Sequence, residues 1–179
     1  MQPILPKKPV SQVGAAICIF CLTILIISVV NLPESNPNSL VAMKDYKISE
    51  FGDMMIEMLP EGLPFTIFMP SDHAFERDLK LRWNTSSLAH KRDDTYAVVS
   101  RILAFSAVPE AIWSRAIHAN ESFHFDSFSG FPLNVLKSSD GKLVVNKIKA
   151  ELVDIQREEI VLHIMNGVIM DSMFRQSLV

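Results

Sequence analysis

Hydrophobic and polar positions divide this chain into two regions with different periodicities. No charged residue lies between Lys8 and Glu34, and Val13–Val30 reads VGAAICIFCLTILIISVV. Beyond that run, apolar residues return at spacings that define elements. Ile48, Phe51, Met55, Met58 and Leu59 recur every three to four residues, which predicts a helix over Tyr46–Leu59 closed by Pro60. Phe65–Met69 reads as a short buried strand closed by Pro70. Ser71 then has the character of a helix N-cap, with Asp72 in the first turn where the helix dipole favours an anion. Ala74, Phe75 and Leu79 lie in that helix. A further amphipathic helix is expected over Asp94–Leu103, led by the solvated charge run Lys91–Asp94, and Pro109 stops the strand-like run that follows it. From about Ser122 the period moves towards two. Leu133–Leu136 and Leu143–Val145 flank the turn signal Ser138-Ser139-Asp140-Gly141, and Glu151–Ile155 and Ile160–Met165 read as further strands. Helices early and strands late indicate an α+β domain.

The uncharged run has the dimensions of a membrane span. Eighteen helical residues at about 1.5 Å each reach roughly 27 Å, close to the ~30 Å of bilayer hydrocarbon. Lys7 and Lys8 precede it, so residues 1–12 are expected in the cytoplasm and the C-terminal region in the lumen or outside the cell. A cleaved signal peptide is the alternative. The apolar core is long for one, and its end, Ile26-Ile27-Ser28-Val29-Val30-Asn31, lacks well-spaced small residues, which favours an uncleaved anchor over residues 13–30. Cys18 and Cys21, the two cysteines of the chain, sit inside this run. There they suit apolar packing or acylation better than redox or zinc chemistry. Residues 31–40, rich in Pro, Asn and Ser, read as a linker, and residues 41–175 as one domain.

Composition then excludes several functions. Six scattered glycines form neither GxGxxG nor a P-loop. After residue 30 the chain carries 15 basic against 20 acidic residues, net −5, the wrong sign for displacing counterions from nucleic acid. Ser71-Asp72-His73 contains triad residue types, but adjacent residues cannot place a histidine between the other two. His118, His124 and Asp126 match no compact zinc spacing. No catalytic, metal-binding or cofactor-binding residue is expected. Asn84-Thr85-Ser86 and Asn120-Glu121-Ser122 are N-glycosylation sequons, and the expected lumenal topology exposes Asn84 and Asn120 to modification.

Four runs, in order, carry a resemblance. Phe65-Thr66-Ile67-Phe68-Met69-Pro70-Ser71-Asp72-His73-Ala74-Phe75 resembles the first signature block of fasciclin domains. Ile102–Pro109, Val145-Asn146-Lys147 and Val161–Ile169 resemble three later blocks. The resemblance implies a fasciclin-like β-sandwich or wedge of about seven strands flanked by helices, preceded here by one N-terminal transmembrane helix. It also implies an adhesion or matrix-interaction module without catalysis. The layout is similar to plant fasciclin-like arabinogalactan proteins, without their Pro/Ala/Ser-rich tracts. The family's Tyr-His pair is Phe105-Ser106 here, and its Asn-Gly before the last block is Glu159-Ile160. Asp154-Ile155 stands nine residues before His163, as an adhesion dipeptide does in some animal members. Asp154 could bind a receptor, or it could fix a backbone turn while Ile155 fills the core. His163, in an apolar strand, is expected to be a buried hydrogen-bonding group. The expected partners are cell-surface or matrix proteins or polysaccharides, plus the membrane through the N-terminal helix. The expected location is a single-pass type II membrane protein, with secretion as the alternative.

Overall fold

The structure, a computed structural model, describes residues 47–82, 88–119 and 121–177, and over 88–93 only the helical backbone. The anchor at 13–30, the linker at 31–40, and both sequon asparagines, Asn84 and Asn120, lie outside the described residues. Among the described residues no helix is long and apolar enough to cross a membrane.

Among the described residues, four helices and seven strands follow one another. They are α1 (Glu50–Glu57), β1 (Phe65–Pro70), α2 (Asp72–Leu79), α3 (Leu88–Ser106), β2 (Ala107–Val108), β3 (Ser122–Asp126), β4 (Pro132–Lys137), β5 (Leu143–Val145), β6 (Ile148–Arg157), β7 (Ile160–Met165) and α4 (Ser172–Ser177). One 3-10 turn, Ser114–Ala116, precedes β3. The strands form a single sheet in the order β2-β1-β7-β6-β5-β4-β3. Among these strand pairs only β1–β7 is parallel, running from Phe65 opposite Ile160 to Pro70 opposite Met165.

That parallel pair explains the two largely apolar runs in the sequence, each broken by one polar residue, Thr66 and His163. Every residue of β1 and of β7 is buried, as expected for parallel strands covered on both faces. Alternate side chains feed two cores. Phe65, Ile67, Met69, Ile160, Leu162 and Ile164 join the cluster under α1, α2 and α3. Phe68 and Met165 join Leu133, Val135, Val145 and Ile169 on the other side.

The helices differ from expectation mainly at their ends. Helix α1 begins at Glu50, because Ser49 is extended and its Oγ accepts the Gly52 N–H at 3.1 Å. It ends at Glu57, with Met58 as the cap. Gly52 is where α1 approaches the sheet. A Cβ there would lie 2.5 Å from Ile48 Cγ2 and 2.6 Å from Met69 Sδ, both inside van der Waals contact. Ser71 caps α2, its Oγ accepting the Ala74 N–H at 3.3 Å. Helix α3 extends beyond the expected Asp94–Leu103 at both ends. Helix α4 carries no signal in the sequence reading. It starts from Asp171, whose carboxylate accepts the Phe174 N–H at 2.6 Å, and Phe174 lies 5.9 Å from Phe105.

The β4–β5 hairpin closes across the expected Ser138–Gly141 turn, and the two hairpins after it turn on residues that the sequence did not mark. Val145 pairs with Ile148 across Asn146-Lys147, whose φ values are +46° and +72°. This is the left-handed pair that a two-residue hairpin demands. Asn146 also locks the neighbouring strand: its Oδ1 accepts the Asn134 N–H at 2.8 Å and its Nδ2 donates to Pro132 O at 3.0 Å. The β6–β7 turn is Glu158-Glu159, with Glu158 at φ +51° where a glycine would sit without strain.

Candidate functional site

The segment leaving β2 is fastened to the sheet by polar side chains from four strands. Thr66, fully buried in β1, donates from Oγ1 to Glu110 O and accepts the Ile112 N–H, both at 2.7 Å. His163, fully buried in β7, lies 2.9 Å through Nε2 from Ile112 O. From β6, the Asp154 carboxylate accepts the Ser114 N–H at 2.7 Å and the Ser114 hydroxyl at 2.5 Å. Lys137 of β4 donates from Nζ to Ser114 O at 3.1 Å. Among the described residues no buried side-chain polar atom is left without a partner.

His163 and Asp154 are also bonded to each other. The Asp154 N–H donates to His163 Nδ1 at 3.3 Å. With Nδ1 accepting, the network assigns the proton to Nε2, which donates to Ile112 O. The ring stacks on Phe68 with centroids 5.5 Å apart. Burial depresses the His163 pKa, against smaller upward pulls from the Ile112 carbonyl and the Asp154 charge. A proton on Nδ1 would face the Asp154 N–H donor, so the neutral ring is the form this site holds.

Asp154 reaches Ser114 because β6 is irregular there. Leu152 faces Ile164 and Ile155 faces Leu162, so β6 uses one more residue than β7 over this stretch. Asp154 sits in that bulge at φ +61°. Ile155 is fully buried in the cluster under the helices. The structure therefore places the two halves of the candidate adhesion dipeptide in different surroundings: a half-buried carboxylate occupied by Ser114, and a core side chain.

The clamped segment presents its remaining side chains outwards. Pro109, Glu110, Ala111, Arg115 and Ala116 are exposed and Trp113 is half-buried. The Arg115 guanidinium lies 4.7 Å from the Trp113 ring centroid, a cation–π distance. Sequence reasoning missed Thr66, Ser114 and Lys137 as positioning residues, and Trp113 with Arg115 as a surface pair. The one available signal was Thr66, a polar residue inside an apolar strand that would need a partner.

The other predicted residues fall elsewhere. Asp72 and His73 are exposed in the first turn of α2, while Ser71 is used by the cap. His124 and Asp126 share the exposed face of β3, and His118 faces Glu121 at 3.4 Å. Among the described residues no three His, Cys, Asp or Glu side chains converge as metal ligands would. Ser106 is buried and its hydroxyl donates to Ile102 O at 2.8 Å. Phe105 packs edge-on to Phe131 and beneath Arg101. The hollow beside α2 is charged but internally paired. Arg77 donates to Asp78 and to Asn166, and holds the Asp78 carboxyl below the usual carboxylate range.

A family model of the fasciclin domain matches residues 46–171. The chain belongs to the fasciclin domain family. The α+β architecture agrees: a seven-stranded sheet flanked by helices, carrying the four motif runs on β1–α2, α3–β2, β5–β6 and β7. A solved structure similar to it is a FAS1 domain pair from the insect cell adhesion molecule fasciclin I, at 17% sequence identity and a TM-score of 0.50. The match covers 72% of this chain and 47% of that one, so this fasciclin domain spans about half the length of the pair. No curated protein matches the chain as a relative.

Proposed function

We propose that this fasciclin domain is the lumenal or extracellular part of a single-pass membrane protein, anchored through residues 13–30, and that it acts by surface contact. Its partners are cell-surface or matrix proteins or polysaccharides, and no bond is made or broken. The observation that carries the reading is the Trp113–Arg115 pair displayed on a segment fastened by four strands. Aromatic and guanidinium groups dominate protein contact energies, and a rigid support lowers the entropy lost on binding. An indole face beside a cation also suits the apolar face of a sugar ring. The family's membership in adhesion-type proteins, exemplified by the insect molecule, supports the same role.

The placement is tested on the full chain expressed in eukaryotic cells. Endoglycosidase should increase gel mobility of the wild type, with smaller steps for Asn84→Gln and Asn120→Gln. No mobility change in the wild type contradicts the lumenal placement. N-terminal sequencing then separates an anchor, which retains residues 1–30, from a secreted form beginning near the linker.

A further inference from the structure

The chain's one Asn-Gly pair, Asn166-Gly167, stands just after the last residue of β7. Asn166 is exposed. Its Oδ1 accepts from Arg77 Nη1 at 3.1 Å, and its backbone oxygen accepts from Nη2 of the same guanidinium at 3.2 Å. Arginine only donates, so it holds the oxygen end of the amide and leaves Nδ2 turned away. A guanidinium on Oδ1 also stabilises the negative charge that grows there when Cγ is attacked, as an oxyanion hole does.

The attacking group is the next backbone nitrogen. Among the described residues, the Gly167 N–H has no hydrogen-bond acceptor, although the residue is buried. Such orphans are uncommon. Its neighbours are held, the Asn166 N–H by Lys149 O at 2.9 Å and the Val168 N–H by Asp78 Oδ2 at 3.3 Å. Packing requires glycine here, since a Cβ would lie 3.1 Å from Ile148 Cγ2, and no Cβ hinders the nitrogen. Asn166 and Gly167 line one hollow of about 300 Å³, which gives solvent access to both reacting groups.

The similar pair Asp140-Gly141 is protected. The Gly141 N–H donates to Ser138 O at 2.8 Å, and the Ser138 hydroxyl holds the Asp140 carboxyl ionised, a poor electrophile. Asn146 is pinned at both ends of its amide, by the Asn134 N–H and Pro132 O.

We propose that Asn166 is a site of spontaneous covalent modification in the folded chain: Gly167 N attacks Asn166 Cγ while Arg77 polarises Oδ1, and the amide is lost. The Gly167 nitrogen gives up its proton and bonds to Cγ. The Cγ–Nδ2 bond breaks and Nδ2 leaves as ammonia. Water then opens the cyclic imide at either carbonyl, giving aspartate or isoaspartate, so one water is consumed for each ammonia released. The new carboxylate competes with Asp78 for Arg77, and the isoaspartyl form lengthens the main chain between β7 and Val168. The inference does not rest on the Trp113 contact or on the membrane placement.

Ageing of the full, solubilised and folded chain in mildly alkaline water enriched in heavy oxygen tests it, with tryptic peptides compared by mass before and after. Asn166 lies in the peptide Glu158–Arg175. That peptide should convert from amide to acid with uptake of the heavy oxygen, and an isoaspartyl methyltransferase with a labelled methyl donor should mark part of it. Peptides holding Asn134 and Asn146 should lag well behind. Arg77→Met should slow conversion severalfold in the folded chain and leave it unchanged in urea-unfolded chain. Where Arg77→Met does not fold, Arg77→Lys, which keeps the charge without the two-pronged contact, should slow it as well. No conversion of the folded wild type, conversion no faster than at Asn134 and Asn146, or equal folded rates with and without Arg77 overturns the proposal.

Discussion

The Asp154 backbone N–H donates to Nδ1 of His163 at 3.3 Å, so the dipeptide position and the strand histidine form one unit. Through its other nitrogen His163 holds Ile112, and through its carboxylate Asp154 holds Ser114. A candidate adhesion residue and a strand histidine, read separately in the sequence, thus share one task, fixing the segment that presents Trp113.

Removing the ring should be costly. His163→Ala leaves a cavity beside Phe68 and orphans both the Ile112 carbonyl and the Asp154 N–H. We expect a loss of about 3–4 kcal/mol in unfolding free energy, read as a lower urea midpoint at unchanged m-value.

The same ring predicts a pH dependence. Its native pKa is depressed by burial, so below about pH 6.5 the unfolded chain takes up a proton that the folded chain refuses. The unfolded state then binds more protons, and stability rises with pH across that range. The contribution is complete above about pH 6.5 and declines below it by up to about 1.4 kcal/mol per pH unit. Urea titrations from pH 7.5 to 5.5 should show this slope in the wild type and not in His163→Gln.

At position 154 the substitutions should rank by chemistry. Asparagine tolerates φ +61° and keeps an acceptor for Ser114, and should cost about 1 kcal/mol. Alanine loses both acceptors and is strained at that φ, and should cost about 2–3 kcal/mol. Glycine removes the strain alone and should fall between them. Thermal melts of the three variants give the order.

Two glycine exchanges should act in opposite directions. Gly52→Ala meets Ile48 and Met69 and should destabilise by about 1–3 kcal/mol, despite alanine's better helix propensity. Lys147→Gly, at φ +72° in an open turn, should stabilise by about 0.5–1 kcal/mol. Denaturant midpoints decide both.

What the sequence made legible was local. The largely apolar runs of β1 and β7, the Ser71 cap and the Asp140-Gly141 turn each follow from period or turn chemistry within a few residues. Helix α1 starts later than its apolar spacing suggests, because that spacing begins before Ser49, which stops the helix from its N-terminal side. The bulge at Asp154 is invisible in sequence because it depends on how β6 lies against β7, which strand propensity alone does not show. The clamp is invisible for the same reason. Thr66, His163 and Asp154 reach partners 46, 51 and 40 residues away, and nothing near Ile112 or Ser114 marks them as targets.

The most direct test of the central claim is adhesion of cells displaying the full chain to matrix-coated surfaces, comparing wild type with Trp113→Ala at equal surface expression. Trp113 is half-buried on the segment that the clamp holds, and it makes the cation–π contact with Arg115. The account predicts that Trp113→Ala loses adhesion while its melting temperature stays close to wild type. Undiminished adhesion by a folded Trp113→Ala chain would contradict it.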